Sequence, residues 1–288
     1  MSAETAAQLA VRLSAASVRK FWNVYTDIQW PESVDRTQWC MSPELVSIYG
    51  TELWESLNEE QQKTLSFWEL VNLFSITLQG ERPLVQGLTV QMYSRQGKEE
   101  TNYLHHFLDE ENKHMVMFAM FCNRYAGKVY PEKKLVLPKQ YAPGEEDVTF
   151  FIKALVVEEL GDVYNVKMMK DDRIAPIARD INYKHHYDEA RHIAFGRRRL
   201  AEMFRQNRQK WSDETLTGLR TWLAAYLRAN WGDFYNPTMY KDAGLPDGYK
   251  IRQMAMQHPV CRESRKRISS NLVNFFLETE ILVEAPEL

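Results

Sequence analysis

The chain has 288 residues, enough for one large domain or two small ones, and its 44% hydrophobic and 12% aromatic content excludes a largely disordered polypeptide. A net charge of -3, with Arg197-Arg198-Arg199 and Arg265-Lys266-Arg267 as the only tight basic runs, argues against a nucleic-acid partner. No segment approaches the ~20 apolar residues of a membrane span. Cys40, Cys122 and Cys261 lie far apart without metal-ligand spacing, and the N-terminus lacks a signal-like apolar run, so a reducing cytoplasm is the expected setting.

Residues 3–22 read as an accessory helix, with Leu9, Val11, Leu13, Val18 and Phe21 among small residues. After a loop with Pro31 and Pro43, Trp54 to Tyr93 carries long helical periodicity interrupted by Gly80, Pro83 and Gly87. Pro83 removes one backbone hydrogen bond and is expected to bend that helix. A second long helix is expected from Lys98 to Tyr125, and the Pro-, Lys- and Tyr-rich stretch from Gly127 to Gly144 reads as a connection crossing a bundle. Glu145, Glu146 and Asp147 open a third helix running to Met169, since acids in a first turn complement the helix dipole. Asp171 or Asp172 can cap a fourth from Arg173 to Phe204, with Pro176 tolerated in its first turn. Ser212 caps an accessory helix over residues 212–230, Asp233 to Lys250 reads as loop, and a last accessory helix covers residues 262–283. Strand alternation is nowhere sustained. The expected fold is all-α, a four-helix bundle over residues 57–205 with accessory helices, in a single domain spanning residues 1–288.

The chemistry is concentrated in a doubled Glu-x-x-His, Glu111-Asn112-Lys113-His114 and Glu189-Ala190-Arg191-His192. Residues three apart on a helix sit about 60° apart around the axis, so each pair can reach one metal. On the fourth helix, Glu189 and His192 fall at about 40° and about -20° relative to His185, one narrow face, whereas His186 widens the arc to about 120°. His185 is therefore the third candidate there, and His186 turns to a neighbouring helix or a supporting partner. Asp188 adds to the ionisable character of the same side, and a buried charge is costly unless paired or bound to metal. On the second helix, Glu110 and Asp109 lie about 100° and about 160° from Glu111 and read as solvated or supporting groups. His105 and His106 read as surface or hydrogen-bonded histidines.

The third helix offers Glu158 and Glu159 between Val157 and Leu160, and periodicity alone does not choose between them; Asp162 is a candidate companion for Glu158. For the first helix the candidates are Glu81, beside Gly80 and Pro83, and Glu69, which reads as an ordinary surface acid. Di-iron and di-manganese carboxylate bundles take one Glu-x-x-His from each of two helices and a lone Glu from each of two others. Glu and His ligands without thiolates suit iron or manganese. Phe107, Met115, Phe118, Tyr164 and Phe195 are apolar side chains near these positions, read chiefly as core and otherwise as the lining of an apolar pocket.

With these residues in place the sequence resembles the p-aminobenzoate N-oxygenase type of di-iron arylamine oxygenases, in the ferritin-like superfamily. That family's pattern is a lone Glu, Asp/Glu-Glu-x-x-His, a second lone Glu and His-x-x-x-Glu-x-x-His. Glu110-Glu111-Asn112-Lys113-His114 matches the second element and His185-x-x-x-Glu189-x-x-His192 the last. The family's spacing selects Glu158 over Glu159 and Glu81 over Glu69. The resemblance implies a ferritin-like bundle and a cluster held by Glu81, Glu111, His114, Glu158, His185, Glu189 and His192, with Glu111 and Glu189 bridging. It further implies two iron ions in preference to manganese, dioxygen as co-substrate, and a peroxo-diferric species that takes a small-molecule amine to hydroxylamine, nitroso or nitro. No GxGxxG fingerprint is present, so electrons are expected from an external reductase or ferredoxin-like carrier. By analogy a homodimer is expected. The alternative is a di-iron oxidase acting on carbon, as hydroxylase or desaturase; iron storage is disfavoured by chain length and the third histidine.

Overall fold

The computed structural model describes residues 4–93, 97–132 and 140–288. Helix α1 (Ala6–Arg19) opens with a capping box in which Thr5 and Gln8 satisfy each other's backbone donors. A short α2 (Glu52–Ser56) precedes α3 (Glu59–Gln91), which starts from a second capping box between Asn58 and Gln61. The chain continues through α4 (Lys98–Phe121), α5 (Glu145–Met168) and α6 (Pro176–Asn207). It ends in α7 (Asp213–Phe234), α8 (Pro237–Asp242), α9 (Gly248–Gln257) and α10 (Pro259–Glu278). Among the described residues there is no strand, only an isolated bridge between Trp39 and Ile174.

Helices α3 and α4 pack as one pair and α5 and α6 as another, with α3 also meeting α5 and α4 meeting α6; this is the four-helix bundle. Helix α1 lies across α4 and α6, α7 and α8 lie on α3, and α10 lies on α5. One apolar core runs through all of it, and Cys40, Cys122 and Cys261 are buried in it as free thiols.

Several local expectations change. Helix α3 is not interrupted: it runs unbroken through Gly80, Pro83 and Gly87. The two glycines, seven residues apart, share the face that meets α5. A Cβ on Gly80 would lie 2.6 Å from Val157 Cγ1, and one on Gly87 would lie 2.0 Å from Phe150 Cε2. They are there for close packing, not to break the helix. At the end of α4 the last turn widens into a π-helical segment, Cys122–Ala126, stopped by Gly127 in the left-handed region. Helix α6 starts from Ala175 with Pro176 in its first turn, because the Asp171 carboxylate is taken up by Ser42 and by the backbone and guanidinium of Arg173. The stretch from Asp233 to Lys250 is not a loop. Pro237 stands at the first position of α8, where proline starts helices, and Gly248 at the first position of α9, where a Cβ would lie 2.2 Å from the Pro237 carbonyl oxygen. Helix α10 begins at Pro259, before Arg262, capped by His258. The expected start of the first helix at residue 3, and residues 133–139 of the expected crossover, lie outside the described residues.

Glu69 is not a surface acid. It is 4% exposed, and one carboxylate oxygen accepts from the backbone amide of Ser47 at 3.1 Å and from the Ser47 hydroxyl. That hydroxyl also lies 2.6 Å from the phenol of Tyr240, so the carboxyl ties the N-terminal segment and α8 to α3 without a cation. Burial pushes Glu69 up to about 8, against a smaller pull from Ser47. Because the folded chain holds this proton to higher pH than the unfolded chain, the contribution is full below about pH 4.5 and is lost as pH rises through about 8. The stability of Glu69→Gln relative to the natural chain should therefore rise between about pH 5 and about pH 9 in urea titrations; a constant difference would mean the folded carboxyl is already ionised. Gly80→Ala should cost about 1 kcal/mol net, overpacking of about 1–3 kcal/mol outweighing a helix-propensity gain of roughly 1 kcal/mol. Gly161→Ala, whose methyl would meet nothing within 4 Å, should instead gain about 0.5–1 kcal/mol by the same measurement.

Candidate metal centre

The four bundle helices each send ionisable side chains to one place. Helix α3 supplies Glu81, α4 supplies Glu111 and His114, α5 supplies Glu158, and α6 supplies His185, Glu189 and His192, all 3% exposed or less. Their donor atoms form three overlapping sets, each within 4.8 Å: Glu81, His114, His185 and Glu189; Glu111, His114, Glu189 and His192; and Glu81, Glu111 and Glu158. All seven residues singled out in the sequence are brought together.

Within the cluster the two Glu-x-x-His pairs are arranged reciprocally. His114 Nδ1 lies 3.1 Å from Glu111 Oε2 and 3.1 Å from Glu189 Oε1. His192 Nδ1 lies 3.2 Å from Glu189 Oε2 and 2.8 Å from Glu111 Oε1. Each imidazole thus faces its own glutamate and that of the other motif. His185 Nε2 comes 2.7 Å from Glu189 Oε1 and 3.8 Å from Glu81 Oε1.

The groups outside the ring of seven fix the imidazoles. The far nitrogen of His192 lies 2.8 Å from Glu110 Oε2, and that of His114 lies 3.2 Å from Asp188 Oδ2. Glu110 and Asp188 share the guanidinium of Arg191, whose Nε donates to Ser17 of α1 at 3.1 Å. Asp188 also accepts from the indole of Trp22 at 2.8 Å. His185 Nδ1 lies 2.8 Å from the amide of Asn165. Phe107 stacks on His192 at a centroid distance of 3.9 Å, and Phe118 meets His185 edge-on at 4.9 Å.

Asp162 is not the companion of Glu158: its carboxylate lies 2.7 Å from His186 Nδ1, so His186 does turn to a neighbouring helix. Glu159 points away and pairs with Arg197. His105 lies on the surface against the Tyr93 phenol. Glu110 is 3% exposed and fully engaged, a supporting group and not a solvated one. Tyr164 stacks on Phe234, and Phe195 packs between Tyr103 and Phe151, as core. Trp22, Asn165 and Arg191 were not singled out. Arg191 sits inside the second Glu-x-x-His, but nothing in the local pattern marks Trp22 or Asn165.

The charges of the cluster oppose one another. Burial, then the charges of Glu81 and Glu189, hold Glu111 well above the usual carboxylate range. Burial likewise pushes Glu81 up to about 7. Burial and the neighbouring His114 and His192 hold His185 well below the ordinary imidazole range. In His114 burial works the other way, but Asp188 and Glu189 overcome it and raise the ring to about 10.

Seven donor atoms of the cluster have no hydrogen-bond partner: both oxygens of Glu81, both of Glu158, Glu111 Oε1, Glu189 Oε1 and His185 Nε2. His185 Nε2 and Glu189 Oε1 are 2.7 Å apart without hydrogen-bond geometry, the disposition of two lone pairs aimed at a third atom. Unpartnered buried polar atoms are rare and costly in proteins, and a pair of cations satisfies all of these at once. The residues present fit a dimetal cluster.

The model of the p-aminobenzoate N-oxygenase AurF family matches residues 3–280. Uncharacterised proteins of Mycobacterium bovis and Mycobacterium tuberculosis are each 28% identical over 265 residues, covering 84% of this chain and 77% of theirs. Among solved structures, an R2-like ligand-binding oxidase from Sulfolobus acidocaldarius superposes with a TM-score of 0.45 at 16% identity, over 97% of this chain and 92% of that one. The family match runs through all four helices that build the cluster, and the chain belongs to the p-aminobenzoate N-oxygenase AurF family, an oxygen-using oxidoreductase of the dimetal type.

Proposed function

We propose that Glu81, Glu111, His114, Glu158, His185, Glu189 and His192 hold two iron ions, and that the protein uses dioxygen to oxidise the nitrogen of a small-molecule amine to hydroxylamine, nitroso or nitro. The observation that carries the metal assignment is the set of buried, unpartnered oxygen and nitrogen atoms converging from four helices. Four carboxylates balance two divalent cations, and a donor set of oxygens and imidazoles without thiolate suits iron. The choice of nitrogen over carbon rests on the family.

Bound iron would supply the electrons and open positions for reducing dioxygen. The chain's own residues prepare the place. Glu110 and Asp188 hold the Nε2 protons of His192 and His114, which leaves each Nδ1 facing inward as a lone-pair donor. His185 is set the other way round, with Nδ1 toward Asn165 and Nε2 inward. The Asn165 amide, itself held by Asp162, fixes the ring in this orientation. Phe107 and Phe118 seal the imidazoles from water. Glu111 and Glu189 each face the imidazoles of both Glu-x-x-His motifs and would hold the metal together with them. Electrons come from a separate reductase or small carrier, because the chain has no nucleotide fingerprint.

Anaerobic reconstitution should load about two iron atoms per chain, and His185→Ala and Glu189→Ala should each lose most of that content in elemental analysis. Near-zero iron in the natural chain would sink the proposal. Mixing the reduced protein with labelled dioxygen and a panel of aryl and alkyl amines should give products with label on nitrogen by mass spectrometry. Label on carbon alone would transfer the assignment to hydroxylation.

A further inference from the structure

Each imidazole of the cluster is joined to its surroundings by a chain of polar contacts, and the three chains end in different places. From His192 the chain runs through Glu110 to Arg191 and stops beneath α1, at the buried hydroxyl of Ser17. From His185 it runs through Asn165 to Asp162, in a groove of mixed charge between α5, α6 and α10 that sets Arg173 and Arg197 beside Asp171 and Glu278. From His114 it passes through a single oxygen, Asp188 Oδ2, which lies 3.2 Å from the imidazole and accepts from the Trp22 indole at 2.8 Å. Of the three, this last chain is the one that brings an aromatic ring system to the edge of an exposed apolar surface, just beyond the end of α1.

That surface is both apolar and cationic. Val18, Phe21, Tyr25 and Tyr183 are 66%, 63%, 69% and 50% exposed, and the Tyr183 ring meets that of Tyr187 at 5.6 Å. Lys113 Nζ lies 5.0 Å from both the Phe21 and the Trp22 rings, Lys184 Nζ 5.4 Å from Trp22 and Lys20 Nζ 5.0 Å from Tyr187. Acids are present too: Lys184 is 4.0 Å from Asp180 and its charge reaches Asp27, Lys113 is 3.8 Å from the buried Asp188, and the exposed Asp109 precedes Lys113 by one turn of α4. Arg19 and Lys20 have no carboxylate at ion-pair distance among the described residues, which leaves the positive excess at the end of α1. At roughly 200 Å² for a whole side chain, the four exposed apolar groups present on the order of 500 Å². A stable dimer takes about 800 Å² from each partner, whereas encounters between electron-transfer proteins stay below about 1,200 Å² for the two together. The size therefore fits a transient redox partner and not a second copy, and the unpaired cations fit an acidic one.

We propose that the surface around Trp22 docks a small acidic electron carrier, and that its electrons enter the cluster through Trp22, Asp188 and His114. The assignment rests on the reading of the cluster as a di-iron centre supplied with electrons from outside. Two reduced carriers in turn give up one electron each and leave oxidised, which takes a pair of ferric ions to the ferrous state; no atom or proton crosses the face. Phe21, Tyr25 and Tyr183 supply the apolar contact, and Arg19 and Lys20 the attraction that orients the partner over the indole.

The test is isothermal titration of the oxidised, iron-reconstituted protein with a plant-type two-iron, two-sulfur ferredoxin, an acidic carrier, and with cytochrome c, a basic one, followed by stopped-flow mixing with the reduced ferredoxin. The ferredoxin should bind about tenfold or more tightly than cytochrome c, and its affinity should fall between about 50 mM and about 500 mM salt. The exposed double substitution Lys20→Glu with Phe21→Glu should weaken it about tenfold or more, while leaving reduction by dithionite within about twofold. Trp22→Phe should leave the affinity within about twofold and slow electron transfer at saturating ferredoxin about tenfold or more. The assignment is overturned if the ferredoxin does not bind, if cytochrome c binds as tightly, if the double variant keeps its affinity within about threefold, or if Trp22→Phe transfers electrons at the natural rate. Sedimentation of the same samples is the further check: a natural dimer that the double variant splits would give the surface to a second copy and overturn the carrier. Iron content separates the two readings, since full iron reducible by dithionite without the binding pattern overturns the docking surface only, and missing iron with the pattern intact overturns the metal reading only.

Discussion

Concentrating four carboxylates and three imidazoles out of water is the constraint around which this molecule is built. Like charges a few ångströms apart in a poorly solvated interior repel strongly, and no arrangement of the seven groups alone satisfies them. The raised Glu81 and Glu111 and the depressed His185 record that conflict. Everything nearest the cluster works to contain it. Arg191 sits between Glu110 and Asp188, and both acids reach the outer edges of imidazoles. Helix α1 is fastened to this network by Ser17, and Trp22, just beyond its end, by an indole hydrogen bond, so an element outside the bundle is held by the polar groups at its centre.

The two halves of the cluster are interlocked. Glu110 immediately precedes Glu111 on α4 yet supports His192 on α6, while Asp188 immediately precedes Glu189 on α6 yet supports His114 on α4. Neither Glu-x-x-His is complete by itself. A substitution at either supporting acid disturbs the imidazole of the other helix, so damage at one motif reads out at the other.

The ligand-type residues were legible because a helix converts sequence spacing into angle: Glu-x-x-His and His-x-x-x-Glu each collapse onto one face whatever surrounds them. The same rule marked His186 as facing elsewhere, and it reaches Asp162. What it did not provide was the choice between adjacent acids on α5, which depends on helix rotation against the other three; Glu159 turns out to face Arg197. Contacts that cross long stretches of chain were also invisible. Trp22 and Asp188 are 166 residues apart, and no local pattern links an indole near the N-terminus to an aspartate in the bundle. Glu69 misled for a related reason: its partners, Ser47 and Tyr240, come from segments whose placement is decided only by tertiary packing. Glycine and proline misled in the opposite sense. Their usual meaning as breakers failed at Gly80, Gly87 and Pro237 because packing room and helix starts use the same two residues.

Close approach of α3 and α5 at Gly80 makes the backbone a gauge. Glu81 and Glu158 each follow a residue of this contact, so the reach required of the two carboxylates is set where the helices touch and not by the length of their side chains. A carboxylate one methylene shorter at either position could be rescued by the helices drawing nearer only through a smaller residue 157, since at Gly80 there is no side chain left to remove. Tolerance to change is therefore one-sided: evolution can spread these two helices by enlarging residue 80, but it cannot bring them closer by trimming it.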